Sequence, residues 1–161
     1  MMQEELKQLL DYNEETGIFT WRKQVAKRIK IGDVAGRQHH SGYWHMKIKG
    51  KLYRAHRLAW LYMFGSFPEG DLDHKNGIRY DNRIANLRLA TRTQNQANAK
   101  NRNNLTGCRG VSVQKSGRFQ AQVRVNNRCL SFGTYDTPQE AGAVAAAARH
   151  ELFGEFARGC G

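Results

Sequence analysis

Residues 118–125 alternate without a break. Phe119, Ala121, Val123 and Val125 fall on one side, and Arg118, Gln120, Gln122 and Arg124 on the other. A period of two is the mark of a half-buried strand, and such a strand needs partners. Upstream, Val111 and Val113 alternate with Ser112 and Gln114; downstream of Asn126 and Asn127, Leu130 and Phe132 alternate with Cys129 and Ser131. The pattern predicts a three-stranded antiparallel sheet. Thr137, Pro138 and Glu140 then supply a helix N-cap, a first-turn proline and a capping acid. The helix they open presents Ala141, Val144, Ala145, Ala148 and Leu152 at helical spacing and stops at Gly154. One sheet face is thus covered by a helix, and the polar, basic face is left open.

The N-terminal part has a different texture. Residues 4–12 read as a short helix with Leu6, Leu9 and Leu10 on one face, and 17–21 as a strand. Residues 24–30 are basic and surface-like, and Gly32, Gly36 and Gly42 mark turns. Residues 43–49 and 52–55, about Gly50-Lys51, predict a hairpin. Residues 56–64 predict a buried helix ended by Gly65. Two short strands follow, 71–74 and 87–90, separated by a polar loop. Thr91, with Gln94 three residues on, opens a helix over 91–100. The Asn-rich stretch 99–107 reads as a linker.

Charge narrows the partner. The 161 residues hold 26 Lys and Arg against 14 Asp and Glu, a net charge of +12, while 40% of residues are hydrophobic and support a folded core. From Ala99 onward there are 9 basic and 4 acidic residues, so both parts of the chain share the surplus. An extended polyanion, nucleic acid above all, fits that distribution. The three cysteines show no C-x-x-C spacing, which favours neither a disulfide framework nor a cysteine zinc site and fits a reducing, cytoplasmic setting. The N-terminus lacks the pattern of a signal peptide. No apolar run approaches ~18 residues, so no membrane span is expected.

The chemistry concentrates in residues 72–98. Cutting a phosphodiester needs a base for water, a cation for the charge on phosphate and leaving oxygen, and a grip on the scissile group. Asp73 and His74 are adjacent, and the pair can serve a common site where the strand ends. Carboxylate and amide oxygens are hard ligands, suited to magnesium or manganese rather than zinc. Asn82 suits a loop stabiliser better than a ligand. Arg88 reads equally as a phosphate clamp or a solvated strand residue, and Asn98, a turn after Asn95, is a secondary candidate. His56 reads as a packed or capping histidine, and His39, His40 and His45 lack convincing ligand spacing.

The run Asp73-His74, Asn82-Arg83, Asn86-Leu87-Arg88 and Asn95, with Tyr53-Arg54-Ala55-His56-Arg57-Leu58-Ala59 upstream, resembles the HNH homing endonucleases of phages and introns. The resemblance implies an α+β chain with a ββα-metal core. It implies His74 as general base, Asn86 on the second strand holding the imidazole, and Asp73 and Asn95 on Mg2+ or Mn2+. Beyond it, Arg109-Gly110-Val111, Gly117-Arg118-Phe119, and Phe132-Gly133-Thr134-Tyr135-Asp136-Thr137 with Glu140-Ala141 resemble the APETALA-two/ethylene-responsive-factor DNA-binding domain. That resemblance implies a sheet laid in the major groove, with Arg109, Ser112, Gln114, Arg118, Gln122, Arg124, Cys129 and Ser131 toward DNA. Ser112, Gln114, Ser116 and Ser131 depart from the plant pattern, so its sequence preference does not transfer.

Together these readings divide the chain into a nuclease domain (1–98), a linker (99–107) and a DNA-binding domain (108–161). They predict a metal-dependent endonuclease acting on double-stranded DNA, without a small-molecule cofactor or membrane partner, as monomer or dimer. A DNA-binding regulator with an inactive nuclease core and an RNA-binding module are the rival readings.

Overall fold

The computed structural model describes residues 1–99 and 106–157. The chain divides into two compact units, Met1–Ala90 and Thr91–Gly161.

The first unit begins with helix α1 (Gln3–Leu9), strand β1 (Leu10–Asn13) and strand β2 (Ile18–Trp21). The helix expected over 4–12 therefore stops at Leu9. Leu10 is extended and pairs with Trp21, opening an antiparallel hairpin. Leu6 and Leu10 are both fully buried: a helix-to-strand step satisfies the same apolar spacing that suggests one continuous helix. Strands β3 (Arg37–Gln38), β4 (Trp44–Ile48) and β5 (Lys51–Arg54) form a three-stranded sheet in the order β3-β4-β5. The short β3 falls in a stretch that reads as turns. The β4-β5 turn places Lys49 at φ 48° and Gly50 at φ 80°. Two consecutive left-handed residues match the twist of a two-residue hairpin.

Helix α2 (Ala55–Phe64) buries Ala55, His56, Leu58, Ala59 and Leu61, while its last residue, Phe64, is exposed. Gly65 ends it at φ 82°, and the Gly65 N–H donates to Leu61 O at 3.0 Å. Strands β6 (Asp71–His74) and β7 (Leu87–Ala90) make a separate antiparallel pair with the boundaries the sequence predicts. The core gathers Leu6, Leu10, Phe19, Trp21, Met46, Ile48, Leu58, Leu61 and Leu87, so β7 is anchored to it through Leu87.

The second unit opens with helix α3 (Arg92–Asn98). Thr91 and Gln94 form the reciprocal capping box that the sequence predicts. The helix ends at Asn98, short of the expected Lys100, which lies outside the described residues. Residues 100–105 of the expected linker lie outside them as well. Helix α3 groups with the second unit because it packs on the C-terminal helix and the turn after it.

Strands β8 (Val111–Val113), β9 (Phe119–Val125) and β10 (Arg128–Tyr135) form an antiparallel sheet in the order β10-β9-β8. Asn126 and Asn127, at φ 48° and 64°, make the β9-β10 turn. Helix α4 (Pro138–Phe153) is capped by Thr137, whose side chain accepts from the Glu140 N–H. It packs Ala141 and Ala145 against Val111 and Ala121 in a small core. Leu152, expected on the buried face, falls outside that cluster and is 43% exposed, whereas Arg149 is buried.

Candidate functional site

Asp73 and His74 close strand β6, and both are buried. The strand ends at His74, as the sequence argument requires. Across the ladder Asp73 sits opposite Arg88 and His74 opposite Leu87. Register alone brings the Arg88 guanidinium to the Asp73 carboxylate. Nε of Arg88 donates to Asp73 Oδ2 at 2.9 Å, and an Nη lies 2.8 Å from the same oxygen as an ion pair, with both side chains largely withdrawn from water. Arg88 is therefore neither a solvated strand residue nor an unpaired phosphate clamp. It fixes the direction of the carboxylate.

Residues 75–86 form a loop folded over the end of this ribbon, and Asn86 holds it shut. Asn86 Oδ1 accepts from the Asn76 N–H at 3.1 Å, and its Nδ2 donates to Asn76 Oδ1 at 3.1 Å and to Asp81 O at 2.9 Å. Asn76 Nδ2 in turn donates to Asp81 Oδ2 at 2.6 Å, and Arg83 Nε to Asp81 Oδ1 at 2.8 Å. The Arg83 guanidinium and the Asn76 amide hold the Asp81 carboxyl below the usual carboxylate range. From outside the loop the Tyr12 hydroxyl donates to Asn82 O at 2.7 Å. Gly17, at φ 73°, lets β2 approach so closely that an added Cβ would lie 2.5 Å from the Arg83 nitrogen.

This geometry corrects the role expected of Asn86. It lies in a 3-10 turn (Ile84–Asn86) ahead of β7 rather than on the strand, and its side chain is committed to the loop. The asparagine beside the His74 imidazole is Asn82. Its Nδ2 donates to Tyr80 O at 3.0 Å. Its buried Oδ1 has no hydrogen-bond partner, yet it favours the charged form of the His74 ring. Burial still dominates and holds His74 below the ordinary histidine value, against the opposing pull of Asn82, Asp73 and Asp81. The resting ring is thus the neutral form that a proton acceptor needs.

A second imidazole stands edge-to-face with the first. The His56 and His74 ring centroids are 5.1 Å apart at 84°. Burial, with the neighbouring His74 and arginine charges, depresses His56 to about 3, so it too is neutral. His56 is a packed residue, as its sequence position suggests, but it packs on the candidate base. Tyr43 touches both rings, at 5.2 Å from His56 and 6.0 Å from His74.

The donor set suits a hard cation. The Asp73 carboxylate has Oδ2 on Arg88, and one carboxylate completed by phosphate oxygens and water is how magnesium is commonly held. Among the described residues no group of three or more His, Cys, Asp or Glu is placed to hold a metal ion. Asn95, the other ligand implied by resemblance, lies on α3 in the second unit.

The polar sheet face of the second unit is ordered by its own contacts. Gln114, just past β8, donates to Gln120 Oε1 on β9, and Gln120 to Ser131 Oγ on β10, each at 2.8 Å, making a polar ladder across the sheet. Cys129 Sγ contacts Gln122 Oε1 at 3.0 Å. Register sets Ser112 beside Gln120, Gln122 beside Ser131 and Arg124 beside Cys129. Arg118 Nε is held by Asp136 Oδ1 at 2.8 Å and remains half exposed. Arg109 donates to Gln96 O at 3.0 Å, and Arg124 is exposed. Gln120, absent from the expected contact residues, is the centre of the ladder. Strand alternation puts it on this face.

Residues 53–97 match the family described as HNH endonuclease. An uncharacterized HNH endonuclease, L560, of Acanthamoeba polyphaga mimivirus is 32% identical over 73% of this chain. Protein 3.8 of Escherichia phage T7 is 32% identical over 67% of this chain. The chain spans 62% of the length of the mimivirus protein and 91% of that of the phage protein. No solved structure matches. Over residues 53–97 the chain is thus similar to the HNH endonucleases. Among the described residues no helix is long and apolar enough to cross a membrane.

Proposed function

We propose that this protein is a homing-type DNA endonuclease with a ββα-metal core, using His74 as general base and Asp73 as an oxygen ligand for magnesium or manganese. The observation that carries the reading is the end of β6. An imidazole kept neutral by burial stands next to a carboxylate there, inside the residues that match the HNH family. When bound, the cation would steady charge on the phosphate and the leaving oxygen. The neutral His74 ring takes a proton from water attacking phosphorus. The ring is then cationic, and Asn82, Asp73 and Asp81 each favour that form. Arg88 keeps the Asp73 carboxylate aimed, and Asn86 keeps the loop carrying Asn82 in shape.

The second unit serves in this reading as the duplex-positioning module, of APETALA-two/ethylene-responsive-factor type. Arg109, Ser112, Gln114, Arg118, Gln122, Arg124 and Ser131 turn toward DNA. The net positive charge and the polar ladder on one sheet face support it. Supercoiled plasmid incubated with millimolar magnesium or manganese tests the enzyme. Wild type converts it to nicked or linear forms, a chelator stops the reaction, and Asp73→Ala is inactive. Intact plasmid with either metal, alongside retained duplex binding, replaces this reading with the regulator.

A further inference from the structure

Beside the candidate base lies a charged feature that the proposed chemistry leaves unused. Tyr43 precedes β4, and two guanidinium groups rest on its ring. Arg54 Cζ is 5.0 Å from the ring centroid and Arg79 Cζ 5.2 Å. Arg54 ends β5 and Arg79 belongs to the loop over the site, so elements distant in sequence converge on one aromatic. Arg79 is further fixed by a hydrogen bond from an Nη to Ser41 O at 2.9 Å. Its stem lies against Gly42, where an added Cβ would stand 3.5 Å from Arg79 Cδ. Both arginines are exposed, and neither is within ion-pair distance of a carboxylate among the described residues.

Two like charges on one ring repel, and cation–π contacts orient them without neutralising them. An anion that bridges the pair removes the repulsion, and a guanidinium fork matches phosphate oxygens in two-point fashion. The same Tyr43 ring lies 6.0 Å from His74. The charge of Arg79 reaches His74 and that of Arg54 reaches His56.

We propose that Arg54 and Arg79, spaced by Tyr43, form a clamp for backbone phosphates of the DNA strand presented to His74, with Tyr43 as the positioning residue. The inference rests on the endonuclease reading for its substrate, but its test separates the two. Duplex binding is measured by fluorescence anisotropy in chelator across a salt series, so that no cutting is needed. Each phosphate contact contributes about 0.9 to the slope of log affinity against log salt. Arg54→Gln and Arg79→Gln each flatten the slope by about 0.9 and the double variant by about 1.8, while Arg54→Lys and Arg79→Lys keep it.

Tyr43→Leu leaves both charges, so the slope stays. Single-turnover cleavage at saturating enzyme slows at least tenfold, and Tyr43→Phe, which keeps the ring, restores it. Tryptophan fluorescence melting confirms that each variant is folded. Slopes unchanged in both Gln variants overturn the clamp, as does a Tyr43→Leu enzyme cutting at the wild-type rate. Wild type that binds with the stated slopes yet never cuts leaves the clamp standing and removes the endonuclease reading. Equal slope losses on duplex RNA but none on DNA overturn the clamp as a DNA device.

Discussion

Exchanging the expected roles of the two loop asparagines gives a crossed prediction. Asn86→Ala deletes three hydrogen bonds, to the Asn76 N–H, Asn76 Oδ1 and Asp81 O. At about 1 kcal/mol each, with polar groups left behind in a buried loop, the loss is about 3 kcal/mol. For a unit of this size 1 kcal/mol moves the midpoint by about 4–8 °C, so the first unit melts roughly 12–24 °C lower. Its melting can be read by itself, because all 3 tryptophans of the chain, Trp21, Trp44 and Trp60, belong to it. Asn82→Ala gives up only the bond to Tyr80 O, about 1 kcal/mol. It also removes the acceptor that favours a protonated His74. A charge-assisted bond of about 1.5–3 kcal/mol corresponds to a roughly 10–100-fold slower single-turnover cleavage. Should Asn86→Ala melt with wild type yet fail to cut, while Asn82→Ala cuts normally, the assignment is reversed and the loop argument is wrong.

Acid destabilises the first unit through His56. Its folded value is about 3 against an ordinary 6.5, so between these limits the unfolded chain binds a proton that the folded chain refuses. Stability falls as pH drops through that window, by roughly 2–3 kcal/mol on going from neutrality to about pH 4.5, and His56→Phe flattens the tryptophan-monitored dependence. Arg88→Met takes the guanidinium from Asp73, and breaking such a buried pair costs about 3–5 kcal/mol. Millimolar magnesium restores part of the melting temperature in that variant more than in wild type, and equal effects on both rule Asp73 out as ligand. Gly17→Ala forces a Cβ against the Arg83 backbone at φ 73° and lowers the same transition by more than about 2 kcal/mol in a denaturant titration.

Local periodicity made much of the fold legible. The alternation through β9, the Gly and Asn turns and the Thr91 and Thr137 caps are written within a few residues of one another, and the structure reproduces them. The helix over residues 4–12 failed because Leu6 and Leu10 reach the same core whether the chain stays helical or turns extended; the pairing of Leu10 with Trp21 decides it. In the site, the adjacency of Asp73 and His74 and their place at a strand end were readable. Which asparagine meets the imidazole was not. Asn82 and Asn86 have the same chemistry and share one loop, and only the path of residues 75–86 separates them. The convergence of Arg54 and Arg79 on Tyr43 was equally hidden, because nothing in the spacing 43, 54, 79 marks a shared ring.

The central claim is that His74 accepts the proton of the attacking water in a DNA-cutting enzyme. Single-turnover cleavage of supercoiled plasmid in magnesium, with duplex binding measured on the same preparations, tests it most directly. His74→Ala is predicted to bind duplex with wild-type affinity and to leave the plasmid intact. Cleavage by that variant at the wild-type rate contradicts the account.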